Sequence, residues 1–427
     1  MPSAGWISRR PPADVQERTL LCAMALRYVT KSIAHRVRSY SQAAPAMHEI
    51  RFHDAIAELP AAEWDALRAE ANPFVSHAFL AALEDTGCIR PAWGWQAHHL
   101  GLYDDGRLIA AAPLYLKGNS HGEFVFDWGW ASAWERAGGE YYPKLLNGVP
   151  YSPVPGPRLL AGNDARTPSL QRELVEAMRR EAERLGLSSV HANFLQPAEL
   201  VAFGDAWLAR SDVQFHWHNH GYRHFPDFLA ALSHKKRKNI LRERDRVAAS
   251  GLAIEWRGGE SFDDDEWTRV HDLYEATFDA KGNHAVLTAA FFRRLGELGS
   301  LAQVALARAG TEIVAMALFV QGDGVLYGRY WGATVDVPGL HFELCYYRGI
   351  EYAIAQKLIR FEPGAQGEHK LARGFLPVRT HSRHWLADRN FRAAVAAALM
   401  RESPAIDDYA EELRQHSPYA QRSGGTR

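Results

Sequence analysis

From residue 48 onward the chain switches between period-two and period-three-to-four placement of apolar residues, and the same succession runs through twice. In the first half the pattern predicts a strand over 48–53, helices over 64–70 and 76–85, and strands over 98–103, 108–116 and 123–128. Ser76 is placed to cap the second helix, and Asp104-Asp105-Gly106 to turn the first strand pair. A helical piece over 141–146, a proline-rich loop over 150–157, a helix over 169–185 and a strand over 188–194 complete that half. The second half predicts a strand over 252–256, helices over 265–279 and 288–298, and a meander over 303–308, 313–320 and 325–331. A helix over 341–357, a strand over 358–361 and a helix over 388–400 follow. The expected fold class is α/β (α+β): two tandem domains, 47–215 and 216–402, each a mixed, largely antiparallel sheet flanked by helices.

The chain's 427 residues leave room for two such domains of ordinary size. With 49 Lys+Arg against 50 Asp+Glu, the net charge excludes a nucleic-acid coat or a halophile, so any polyanion contact is local. Cys22, Cys88 and Cys345 are odd in number and form no C-x-x-C pair, which argues against a disulfide scaffold or zinc ribbon and fits a reducing compartment. No apolar run approaches a membrane span. The expected location is cytoplasmic, without DNA, integral-membrane association or a metal. Residues 1–46 read as a disordered or transit-like leader, with no acid between Arg18 and His48 while Arg27, Lys31, Arg36 and Arg38 recur. Residues 403–427 read as a flexible tail.

The order strand, helix pair, three-stranded meander, helix, strand, helix resembles that of the GNAT N-acyltransferase fold, twice over. Acyl transfer to an amine needs a group that removes the amine's proton and donors for the oxyanion that forms. Glu343 precedes Tyr346 and Tyr347 by three and four helical positions, so these side chains are expected to share a face and one ligand; an ion-paired structural glutamate is the alternative. The loop after the strand at 358–361 places Glu362, Gln366, Glu368, His369, Lys370 and Arg373 around two glycines, at a strand's C-terminal end where α/β binding sites form. Its alternative is a solvated surface loop. Glu343, Glu368, His369 and Tyr346 are the candidate catalytic groups; Arg329, Tyr330, His341, Tyr347, Glu362, Gln366, Lys370 and Arg373 are the candidate substrate contacts. Lys236, Arg237 and Lys238, on a helix that continues through Arg242, Arg244 and Arg246, are candidates for donor phosphate or RNA.

Four strings carry a further resemblance: Lys236-Arg237-Lys238; Leu326-Tyr327-Gly328-Arg329-Tyr330-Trp331-Gly332; Leu340-His341-Phe342-Glu343 with Cys345-Tyr346-Tyr347; and the run from Phe361 to Lys370. They resemble the Fem-like predicted N-acyltransferases of peptidoglycan biosynthesis/recognition over about residues 47–402. The resemblance implies paired GNAT-type domains and kinship with aminoacyltransferases that draw on aminoacyl-tRNA. It implies an activated acyl donor, aminoacyl-tRNA or acyl-CoA, as co-substrate rather than a resident cofactor, and a small-molecule or peptide amine as acceptor. Acyl-CoA enzymes of this fold usually carry a glycine-rich pyrophosphate loop, whereas Val335-Asp336-Val337-Pro338-Gly339-Leu340-His341 stands in its place. A second reading is a non-catalytic module that recognises peptides or peptidoglycan on a duplicated acyltransferase fold.

Overall fold

The computed structural model describes residues 48–365 and 367–420; the expected leader, Gln366 and the last seven residues of the expected tail lie outside them. The chain forms two compact units. Of the described residues, one holds 48–212 together with Thr380–Ile406, and the other holds Val213–Arg379 and 407–420.

In the first unit, β1 (Glu49–His53), β3 (His99–Asp104) and β4 (Arg107–Ala112) form a three-stranded sheet. β2 (Trp95–Ala97), β5 (Leu114–Lys117), β6 (Lys144–Asn147) and β7 (Ser189–Leu195) form a second sheet, whose outer neighbour beside β7 is the last stretch of the long strand Leu376–Leu386. Helices α1 (Ala61–Ala66), α2 (His77–Asp85), α3 (Trp128–Arg136) and α4 (Thr167–Leu185) flank the sheets. The strand expected over 108–116 is two strands: Pro113 has no N–H to give a ladder, so the chain leaves one sheet there and joins the other. The expected strand over 123–128 is irregular chain leading into α3, because Glu123 and Asp127 turn inward to a buried lysine. The expected helix over 141–146 is β6, since Pro143 cannot sit inside a helix without loss of a hydrogen bond. The core lies between the sheet and α4, which buries Leu170, Leu174, Val175 and Met178 at helical spacing and ends on the left-handed Gly186.

The second unit opens with the end of β8 (Leu208–His218) and continues through helices α5 (Phe225–Ala231) and α6 (His234–Ala248) to β9 (Ala253–Gly258). Helices α7 (Asp264–Asp279) and α8 (Ala289–Glu297) follow, then the meander β10 (Ala302–Ala309), β11 (Glu312–Gly322) and β12 (Val325–Ala333). Asp323 and Gly324 both have positive φ, so the turn has the left-handed pair that matches a twisted hairpin. The helix α9 runs from Leu340 to Ala355 with a π turn at Glu343–Tyr347. It returns to β13 (Arg360–Glu362), giving a strand order β8-β13-β12-β11-β10-β9. The strand Leu376–Leu386, β14, and the helix α10 (Arg389–Gln415) close the chain. β8 and β14 were not expected: Val213, Phe215 and Trp217 alternate with Gln214, His216 and His218, a strand pattern lying where a domain boundary was read. The helix at the C-terminus passes Pro404 and continues well into the region read as a flexible tail. Among the described residues no helix is long and apolar enough to cross a membrane.

Candidate functional site

β12 and β13 are parallel, and their pairing is short: Val325 with Arg360, Leu326 with Phe361, Tyr327 with Glu362. Beyond these positions the strands part. Arg329 is an extra residue in β12, since Leu318 pairs with Tyr330 and Phe319 with Gly328, and such a bulge bends a strand and re-aims its side chains. Pro363 follows β13 closely enough to Gly328 that a Cβ there would come within 3.2 Å of its Cα. The pairing thus ends at the C-terminal ends of parallel strands, where α/β folds place ligands.

Glu362 stands where this pairing ends and is almost fully buried. Its Oε1 accepts from Arg360 Nε at 2.7 Å. Its Oε2 has no hydrogen-bond partner among the described residues and lies 3.8 Å from His216 Nε2. Burial raises this carboxyl to about 7, against the lowering effect of Arg360 and, more weakly, Arg329. Burial likewise drives the His216 imidazole toward its neutral form, with Arg360, His218 and Lys370 adding to the effect. Lys370, buried and donating to the Gly364 carbonyl at 2.7 Å, is brought down to about 7 by desolvation.

A second group lies around the start of α9. Tyr346 Oη and His369 Nε2 are 2.8 Å apart, and the exposed His369 is held below the usual histidine range by partial burial and by the charges of Lys370 and Arg373. Burial raises the Tyr346 phenol. His341 lies among the rings of Trp331, Tyr346 and His369 and falls to about 4, through burial first and the His369 and Arg373 charges after it. Arg373 stacks 3.3 Å over Phe342, donates to the His369 carbonyl at 2.9 Å and to Tyr347 Oη at 3.0 Å, and pairs with Glu243 of α6 at 2.9 Å. Tyr347 also donates to Glu243. Gly339 permits this approach of α6, because a Cβ there would lie 3.2 Å from the Glu243 carbonyl.

The structure therefore forms two groups, Glu362 with Arg360 and His216, and His369 with Tyr346, His341 and Arg373, the last also bonded to Tyr347, while the charge of Lys370 is felt by both His216 and His369; it separates others. Both Glu343 oxygens are taken, by Arg244 at 3.0 and 3.0 Å and by Arg348 at 2.8 Å, as in the ion-paired alternative, while Tyr347 turns to Glu243, the neighbour of Arg244 on α6, and Tyr346 to His369. Glu368 is exposed and accepts from Tyr409 at 2.8 Å. Tyr330 packs on Tyr274 and Phe292, and Arg329 lies over its ring at 5.3 Å. Gln366 is outside the described residues. On α6, Arg237 folds back to the Leu232 carbonyl at 3.3 Å and Lys236 is half-buried, while Lys235, Lys238, Arg242 and Arg246 are exposed. Sequence reasoning missed His216, which lay in the unrecognised β8; the polar alternation of that strand was the signal. His271, Asp272 and Glu275 bring three potential ligand atoms within 4.8 Å, but both acids are exposed and His271 is bound to the Leu287 carbonyl at 3.0 Å, so no metal is assigned.

The profile of the FemAB-like family, described as peptidoglycan biosynthesis/recognition, matches residues 55–421. No curated protein matches the sequence. Among solved structures, FemX is similar at 10% identity over 79% of this chain and 98% of its own, with a TM-score of 0.48. The C-terminal domain of a putative lysylphosphatidylglycerol synthetase from Agrobacterium fabrum gives 14% identity, 82% and 96% coverage and a TM-score of 0.49. A tandem GNAT protein from the clavulanic acid biosynthesis pathway gives 13%, 80%, 98% and 0.42.

Proposed function

The chain belongs to the FemAB-like family of peptidoglycan biosynthesis/recognition, and from that premise we propose that it is an acyl- or aminoacyltransferase that joins an activated acyl group to an amine, with Glu362 as the base. One observation carries the assignment: a carboxyl group almost out of water, with one oxygen unpartnered among the described residues and a proton affinity near neutrality, where the pairing of β12 and β13 ends. A general base works best when its pKa lies near the working pH. The acceptor ammonium gives a proton to Glu362 Oε2, and the free amine attacks the donor carbonyl to form the C–N bond. The bond to the leaving oxygen or sulfur then breaks as Tyr346 supplies the departing atom with a proton, and the second proton of the attacking nitrogen passes through His369 back to the Tyr346 oxygen, leaving the amide, the protonated leaving group and one proton on Glu362. Lys370, whose charge is felt by both His216 and His369, stands between the two groups and steadies the oxyanion when protonated. Glu343 is a structural anchor in this scheme, and His341, Tyr347 and Arg373 shape the acceptor pocket.

The finer identity of the donor rests on α6. Its outward stripe Lys235, Lys238, Arg242 and Arg246 repels itself along one helix face, and the described residues give it no carboxylate partner. A carrier with a phosphate backbone suits such a stripe, which favours aminoacyl-tRNA over acyl-CoA. The test is transfer of a labelled aminoacyl group from a charged tRNA pool, or of an acetyl group from acetyl-CoA, to a muropeptide amine. Product formation lost in Glu362→Gln, with the melting temperature retained, is the expected result. Full transfer by that variant removes the assignment of the base.

A further inference from the structure

The sheet of the first unit has two unlike faces. Leu114, Leu116, Leu145, Val190 and Trp385 meet α4, whereas the opposite face carries Trp95, Tyr115, Lys117, Lys144, His191 and His384. Lys117 and Lys144 stand directly opposite each other across the antiparallel β5–β6 pair, and both are fully buried. Like charges in that position destabilise a sheet.

Lys144 is satisfied: it donates to Ser120 at 2.8 Å, Glu123 at 2.9 Å and Asp127 at 2.5 Å. Lys117 is not. Its one hydrogen bond goes to the His121 carbonyl at 3.2 Å, with Glu123 Oε1 at 3.9 Å and the Trp95 ring 3.5 Å away. Around it, Glu123 Oε1, Trp95 Nε1 and Tyr115 Oη are buried and lack hydrogen-bond partners among the described residues. A buried polar atom without a partner is costly, so a cluster of them calls for a cause, and a bound ligand supplies one. Two of the unmet groups are donors, and they flank a lysine with hydrogens to spare. That set is complementary to an anion with two acceptor oxygens.

The surrounding backbone is strained. Phe124 and Tyr151 hold positive φ values of 59° and 55°, and bulky residues seldom do so outside functional sites. The Tyr151 ring lies 5.2 Å from that of Trp95. The segment from Ser120 to Trp128 covers the cluster and sends Ser120, Glu123 and Asp127 inward. On its outer side Phe126 and Trp128 are 41% and 47% exposed with rings 4.8 Å apart, an apolar shelf immediately outside a charged floor.

We propose that this face is a binding site for an organic carboxylate, its oxygens held by Lys117, Trp95 and Tyr115 and its apolar body lying along Phe126 and Trp128. Binding moves the covering segment outward and gives the Lys117 ammonium a closer counter-ion than Glu123 Oε1 at 3.9 Å. Burial makes Lys117 surrender its proton far more readily than an ordinary lysine and raises Glu123 to about 7. Pairing with a bound carboxylate opposes the first effect, because a nearby negative charge favours the ammonium form.

The experiment is isothermal titration of the full chain with acetate, octanoate and phenylacetate at pH 6, where Glu123, raised to about 7, holds its proton, with octylamine as the cationic comparison. Expected are saturable one-to-one binding of octanoate or phenylacetate, at least tenfold weaker binding of acetate, and no octylamine binding. Lys117→Met should abolish binding, and Trp128→Ala, an exposed position that tolerates truncation, should erase most of the preference for octanoate over acetate. Absence of saturable heat with all three acids, tighter binding of octylamine, or unchanged octanoate affinity in Trp128→Ala overturns the proposal. If Lys117→Met does not fold, the Trp128→Ala result decides alone. None of these outcomes bears on Glu362.

Discussion

Lys144 in the first unit and Glu362 in the second are both charged residues removed from water, yet they are treated in opposite ways. Lys144 has three acceptors within 2.9 Å, and the network runs on through Tyr141 to Asp127 at 2.7 Å and Ser120 to Asp127 at 2.5 Å. Glu362 has one partnered oxygen and one without a partner among the described residues. The same contrast recurs inside each unit, between Lys144 and Lys117 and between Glu343 and Glu362. A saturated buried charge cannot exchange a proton or accept a ligand without breaking several bonds, so it holds structure. An unsaturated one is costly to keep and is available for chemistry.

The sharpest way to break the comparison is Lys144→Met, which leaves Asp127 buried without its counter-charge. Chemical denaturation should show a loss of about 3–5 kcal/mol or a chain that does not fold at all. The same removal at Glu362, as Gln, should leave stability unchanged or improved while the rate of transfer falls by about 10²–10⁴, the usual worth of a general base. A pH series separates the two kinds of charge next. Glu123 and Glu362 have folded-state values raised from 4.5 to about 7, so their contribution to stability is present in full below about 4.5 and is lost as pH rises through 7. Asp127 is depressed: although burial opposes it, the Lys144 charge wins, and its contribution is present above the ordinary aspartate value and lost as pH falls through the lowered one. The denaturation midpoint should therefore decline between about pH 4.5 and 7 and level off above 7, with a shallower decline in Glu362→Gln. The smallest effect is expected on the surface of α6: Lys238→Glu with Arg242→Glu should leave the melting temperature within about 2 °C and weaken tRNA binding, reducing the slope of log affinity against log salt by about one per cation removed.

Much of this was legible in the order of residues. The hairpin at Asp323-Gly324, the amphipathic spacing of α4 and the capped start of α2 follow from local rules that need no partner, and each element formed close to where the pattern placed it. The clustering of Glu362, His369 and Lys370 after a strand, with Tyr346 on the preceding helix, also came from the sequence, because a short loop cannot carry its residues far.

Partner choice was not legible. Whether Glu343 or Glu362 keeps a free oxygen depends on Arg244, about a hundred positions away, arriving from α6; no local pattern encodes that meeting. The Lys144 network draws Asp127, Ser120 and Tyr141 from irregular chain whose course is set by what it covers rather than by its own periodicity. The same holds for β14, a long strand with little alternation of its own, which the second pass of the chain delivers beside β7 to bring His384 within 2.7 Å of His191. Periodicity is a property of neighbours along the chain and fixes elements; desolvation and charge pairing are properties of neighbours in space, and only the folded packing decides which ionisable group is left with something to do.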